Sequence, residues 1–166
     1  MKNNFCIKAI SLFLIILISN GCIENHNPPP PPKNETEKLV LDLSGRWKFS
    51  LGDDQRWKDE KFDDKNWEKI SVPSSWENQG FHGYNGYAWY RTSFRLNKDL
   101  LNKDLYLVLG FVDDVDQTFI NGNLIGVSGG FPDNYRTAYN AFRKYFIPKE
   151  FLNKDGENII AVRIYD

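Results

Sequence analysis

From residue 39 onward, apolar and polar side chains alternate in short bursts separated by glycine, asparagine, aspartate and proline. Residues 46–51 (RWKFSL) put Trp47, Phe49 and Leu51 on one side. Residues 104–112 (DLYLVLGFV) put Leu105, Leu107, Leu109 and Phe111 on one side, with Tyr106 and Val108 opposite. Residues 157–165 (ENIIAVRIY) set Ile160, Val162 and Ile164 against Ile159, Ala161 and Arg163, and residues 87–96 (YAWYRTSFRL) form a fourth, aromatic-rich run. A period of two predicts strands with one face turned to a core. Asn121-Gly122 lies between two apolar runs, residues 115–120 and 123–127. Both central residues of a type I′ turn need positive φ, so this pair predicts a β-hairpin. One helical turn is expected over residues 148–152, with Pro148 at its first position. No stretch carries the 3.6-residue period of a long amphipathic helix. Many short strands with frequent turns predict an all-β, antiparallel sandwich or barrel.

The N-terminal pattern is different. Lys2 and Lys8 flank a polar start, and residues 9–18 (AISLFLIILI) are almost wholly apolar. That run is shorter than the ~20 residues needed to span a bilayer, and a basic start before a short apolar stretch is the layout of an export signal. Gly21-Cys22 follows and is similar to a bacterial lipobox, in which the cysteine is acylated. Ser19 stands where an aliphatic residue is usual. Ordinary secretion with cleavage near Gly21 is the alternative. Pro28 to Pro32 are five consecutive prolines, which favour an extended polyproline spacer. The expected organisation is a lipoprotein signal over residues 1–21, an acylated Cys22 with a proline-rich tether over 22–38, and one folded domain over 39–166. The expected location is the bacterial cell envelope, with a lipid anchor in the outer membrane.

Composition narrows the chemistry. The 166 residues suit one domain. A net charge of −1 and no basic patch argue against nucleic acid as a partner. Both cysteines, Cys6 and Cys22, precede the folded part, which therefore uses no disulfide or thiol chemistry. His26 and His82 stand alone, and no Cys/His cluster, nucleophile elbow or phosphate loop is present, so no cofactor is expected. Aromatic residues reach 15%, which suits strands and also suits stacking against sugar rings.

The order of several motifs then matters. Ser44-Gly45-Arg46-Trp47-Lys48-Phe49 is followed by Gly52-Asp53-Asp54 and Phe62-Asp63-Asp64-Lys65-Asn66-Trp67. Next come Val72-Pro73-Ser74-Ser75-Trp76-Glu77 and Ala88-Trp89-Tyr90-Arg91, then Gly110-Phe111-Val112-Asp113-Asp114, Phe119-Ile120-Asn121-Gly122 and Ala161-Val162-Arg163. Over residues 43–166 this succession resembles the N-terminal sugar-binding domain of glycoside hydrolase family 2, a galactose-binding-like jelly roll of β-galactosidases and β-glucuronidases. It is also similar to the jelly roll of sialate O-acetylesterases. The resemblance implies a non-catalytic domain that sits beside a downstream catalytic barrel and acts on β-galactosides or β-glucuronides. In the family a closing strand follows a segment such as Val162-Arg163-Ile164-Tyr165-Asp166, so a sandwich lacking its last strand is expected. The rival readings are a stand-alone carbohydrate-binding lipoprotein, and the jelly roll of an esterase or a sensor ectodomain.

Candidate chemistry is judged against ordinary structural roles. Glycoside hydrolysis needs two carboxylates roughly 5–10 Å apart across a bond. Asp53-Asp54 and Asp63-Asp64 lie in turns, where aspartate bonds to nearby backbone. Asp113, Asp114 and Asp116 lack the glycine-punctuated spacing of a calcium loop, so no metal site is expected. Arg91 and Arg163 lie in apolar strands and are expected to bury their stems and pair their head groups with a carboxylate such as Asp113 or Asp114. Two loops mix aromatics, amides and glycines: residues 76–87 and 128–139. They supply the candidate carbohydrate contacts Trp76, Tyr84, Asn85, Phe131 and Tyr135. The expected chain is inactive by itself and belongs to a parent that hydrolyses O-glycosyl bonds.

Overall fold

The computed structural model describes residues 38–166, together with the backbone of residues 4–8. It holds ten strands: β1 (Asn4–Lys8), β2 (Lys38–Asp42), β3 (Gly45–Leu51), β4 (Glu68–Val72), β5 (Tyr87–Phe94), β6 (Asp104–Gly110), β7 (Val115–Ile120), β8 (Asn123–Ser128), β9 (Arg143–Ile147) and β10 (Asn158–Tyr165). They form a six-stranded sheet in the order β4-β3-β5-β10-β7-β8 and a four-stranded sheet in the order β2-β1-β6-β9. The expected β-sandwich is therefore what forms. Every pair in the larger sheet is antiparallel. β1 is parallel to both of its neighbours, β2 and β6.

The core lies between the sheets. Trp47, Phe49, Tyr90, Leu105, Leu107, Leu109, Ile160, Val162 and Ile164 all belong to one buried cluster. Each comes from the apolar side of its alternating run, which is why the period of two located them. The hairpin forms as the sequence predicts, with Asn121 at φ 49° and Gly122 at φ 80° between β7 and β8. The turn after β9 is a single 3₁₀ turn, Lys149–Phe151, capped by Pro148 rather than begun by it.

The second face of the six-stranded sheet is not the solvent face that alternation predicts. Trp89, Phe119 and Ala161 point away from the core and are buried too, under Trp57 and Trp67. The connection between β3 and β4, residues 52–67, folds over this face as a third layer. Trp57 meets Trp67 and Trp89 edge-on at 5.0 and 6.2 Å, and Phe62 closes the group. The layer brings carboxylates to two arginines of the sheet. Arg91 donates to Asp64 at 2.8 Å, and Arg163 donates to Asp53 at 2.7 Å. This corrects the pairing with Asp113 or Asp114 expected from sequence: successive residues of a strand face opposite ways, and both arginines share the outward face of Trp89 and Ala161. The turn reading holds for Asp54 and Asp63, which accept from the backbone N–H groups of Arg56 and Lys65.

Candidate functional site

The two sheets meet a convergence of acids at one end of the sandwich. β6 ends at Gly110, and the short link to β7 carries Asp113 and Asp114. β10 ends beside the start of β7, with Tyr165 opposite Val115, so Asp166 arrives next to that link. The Asp114 N–H donates to the Tyr165 carbonyl at 3.3 Å, and the Asp166 N–H donates to the Gly86 carbonyl at 3.2 Å. Backbone pairing thus fixes where the acids stand. One carboxylate oxygen from each of Asp113, Asp114 and Asp166 lies within 4.8 Å of the others, and all three residues are half-buried. Glu77, in the 3₁₀ turn Glu77–Gln79 after β4, is a fourth acid at the same cavity.

The cavity has a volume of about 50 Å³ and is lined by Ser75, Trp76, Glu77, Tyr90, Asp113, Ile164 and Asp166. Two of its walls carry buried polar atoms without a hydrogen-bond partner, the Trp76 indole Nε1 and the Tyr90 hydroxyl. Trp76 is 3% exposed and Tyr90 0%. Buried polar groups are nearly always satisfied, so two orphans on one cavity wall mark a place shaped for something besides packing. Asp114 is held from the β8–β9 loop, where the hydroxyls of Tyr135 and Thr137 donate to its two oxygens.

Burial drives the electrostatics here. Burial, a hydrogen bond with Asp114 and the charges of Asp114, Asp166 and Glu77 together push the Asp113 carboxyl up to about 6. Burial, then Glu77 and Asp114, raise Asp166 in the same direction. None of the ion pairs formed among the described residues reaches Asp113, Asp114, Asp166 or Glu77. Asp116, grouped with this cluster by sequence, points the other way. It forms a buried pair with Arg143 at 2.9 Å and accepts from Thr118 and Tyr145. Asp166 takes its place in the cluster, and only the pairing of β10 with β7 brings it there.

The five residues predicted to touch sugar separate into two groups. Trp76 is in the core, 3% exposed, so its ring is not open for sugar to stack on, though the residue lines the cavity. Tyr84 packs edge-on against Trp76 and donates to the Tyr87 carbonyl, while Asn85 beside it is exposed. Phe131 stacks on Tyr87 at 5.8 Å and 3°, and the Arg163 guanidinium lies 4.1 Å from the Phe131 ring centre. Tyr135 is 49% exposed and meets Tyr165 edge-on. Tyr84 thus reaches the cavity only through Trp76, Tyr135 reaches the acid cluster through Asp114, Phe131 stacks with Tyr87 and Arg163, and Asn85 is exposed. Cys22, the predicted lipidation site, lies outside the described residues, as does the tether.

Residues 52–166 match the family model described as the β-galactosidase second all-β domain. A Formosa agariphila protein assigned as a β-glucuronidase is 30% identical over 145 residues, which covers 80% of this chain and 13% of that protein. The structure of a Bacteroides uniformis β-glucuronidase aligns over 74% of this chain and 14% of its own, with a TM-score of 0.61 and 27% identity. A Ruminococcus gnavus β-glucuronidase shares the fold at a TM-score of 0.61 and 21% identity, covering 75% of this chain and 21% of its own. The chain thus spans about an eighth of the length of the curated relative it matches.

Proposed function

The chain belongs to glycoside hydrolase family 2 as an accessory β-domain of the β-galactosidase and β-glucuronidase type, and from that premise we propose that it shapes the sugar-binding face of a parent glycosidase without supplying the catalytic acids. The carrying observation is the use its carboxylates already have. Asp53, Asp64 and Asp116 are tied to arginines, and Asp54 and Asp63 close turns. Of the remaining cluster, Asp113 and Asp166 line a cavity of about 50 Å³ together with Glu77. The three remaining acids converge to within 4.8 Å of one another, closer than the roughly 5–10 Å at which two carboxylates flank a glycosidic bond.

Carbohydrate contact falls to the two loops: Asn85 by hydrogen bonding, with Tyr135 and Phe131 as apolar surface. The substrate class is β-glucuronides or β-galactosides, and the partner is a catalytic domain of the same parent. Export and anchoring through Cys22 belong to the same reading. Cleavage before Cys22 would remove β1 and its ladders to β2 and β6. The mature domain would then need another extended segment in that position.

Three measurements test this reading. The purified chain should not turn over nitrophenyl β-glucuronide or β-galactoside; activity lost on Asp113→Asn would sink the accessory role. In the parent enzyme, Asn85→Ala and Tyr135→Ala should raise KM several-fold with kcat little changed, since such contacts bind ground and transition states alike. Cys22→Ser should move the protein from the membrane fraction to the soluble one, and continued membrane retention would refute the anchor.

A further inference from the structure

We propose that Asp113, Asp114 and Asp166 bind a hard divalent cation, calcium above all, at the end of the sandwich. The inference stands whether or not the domain touches sugar. Three carboxylate oxygens from two chain segments lie within 4.8 Å of one another, the spacing that one ion at 2.3–2.6 Å from each can bridge. Carboxylates elsewhere in partly buried positions have a cation of their own: Asp64 has Lys48 and Arg91, and Asp116 has Arg143. Among the described residues these three have none, and Glu77 adds a further negative charge to the same cavity. Like charges gathered out of water are costly unless something positive neutralises them.

The second line of support is independent of charge. Tyr90 Oη and Trp76 Nε1 are buried without partners on the wall of the same cavity. Calcium takes six to eight oxygens, and three carboxylates leave several positions for water. A bound water donates to the Tyr90 oxygen. Trp76 Nε1–H donates to a water of the outer layer, and about 50 Å³ has room for both ion and water. The ligands of the cluster are all carboxylate oxygens, with no histidine or thiolate among them, which favours calcium over zinc or copper. Tyr135 and Thr137 donate to Asp114 and leave each of its oxygens a second lone pair for the metal. Asp166 and Asp114 are set by backbone hydrogen bonds, so the site is pre-formed rather than gathered by the ion. The calcium-loop spacing is missing from the sequence because the third ligand lies about fifty residues beyond the first two.

The test is terbium luminescence on the chelator-treated full chain, excited through tryptophan, since Trp76 lines the site. Sensitised emission should rise with added Tb³⁺ and fall as Ca²⁺ displaces it. Calcium should also raise the melting temperature by a few degrees. Asp113→Asn/Asp166→Asn should abolish both responses while melting cooperatively in chelator. Tyr90→Phe should weaken binding by about tenfold, the usual loss for an outer partner. Asp155→Asn, far along the chain on an exposed turn, should change nothing. Emission and melting that ignore calcium in the wild-type chain would overturn the proposal, and so would equal responses in the double variant.

Discussion

Two groups of aspartates occupy opposite situations in this sandwich. On the outer face of the six-stranded sheet, Asp53 and Asp64 reach inward to Arg163 and Arg91. At the sheet end, Asp113, Asp114 and Asp166 reach toward one another. Burial opposes ionisation of Asp53 and Asp64, yet hydrogen bonds from Arg163 and Trp89 to one, and from Lys48 and Arg91 to the other, hold both carboxyls below their usual values. In the end cluster burial and neighbouring acids act together and push the Asp113 and Asp166 carboxyls up. The outer pairs are structural, because the fold supplies both charges. The end cluster is unfinished, because the fold supplies only one sign.

The largest effect that would sharpen this contrast is Asp64→Ala. Arg91 is 1% exposed, and removing its partner strands a guanidinium beneath Phe62. Breaking a buried pair from one side should cost about 3 kcal/mol, read as a lower urea midpoint with an unchanged slope. A midpoint like that of the wild type would mean that the outer pair is ornamental and the contrast false.

A pH series in chelator gives the next effect, with opposite signs for the two regions. Asp53 and Asp64 have folded-state values below their unfolded ones. Their contribution is present above the unfolded value of about 3.9 and is lost as pH falls through the folded one. Asp113, raised to about 6, works in reverse: its penalty is full above 6 and relieved as pH falls toward 4. Melting temperature should therefore rise slightly from pH 7 to about 5 and drop steeply below about 4. Asp113→Asn should reduce the rise, leaving the part due to Asp166, and keep the drop; a monotonic fall from pH 7 in the wild-type chain would contradict the assignment of the cluster.

The smallest effect is the most direct. Asp166→Asn removes one like charge without changing shape. In chelator it should stabilise the chain by about 1 kcal/mol or less after solvent screening, a gain of roughly 2–4 °C. Destabilisation there would mean that Asp166 has a favourable structural role and is no ligand in waiting.

Much of the fold was legible because it depends on local pattern. Trp47 and Phe49, Leu105 to Leu109, and Ile160 to Ile164 alternate, and alternation alone assigns them to the inner faces. Asn121-Gly122 demands positive φ and so names its turn. The outer layer was less visible. Trp57, Phe62 and Trp67 are aromatic, but their spacing has no strand or helix period. That signal, three large aromatics inside a polar connection, could have suggested a covering layer. The partners of Arg91 and Arg163 were misjudged for the same reason, since their acids lie on that layer.

What the sequence determined by itself is the set of strands, the hairpin, the ordered motifs of the family and the inward face of each strand. These follow from steric and hydrophobic rules acting over two to six residues. Which charges meet depends instead on how the strands pack. Asp53 finds Arg163 across 110 positions of sequence, and Asp166 joins Asp113 only because β10 pairs with β7. Coulombic interaction depends on distance and burial, and the sandwich sets both by bringing remote segments side by side. The same carboxylate becomes half of an ion pair or part of an open site according to its neighbour in space.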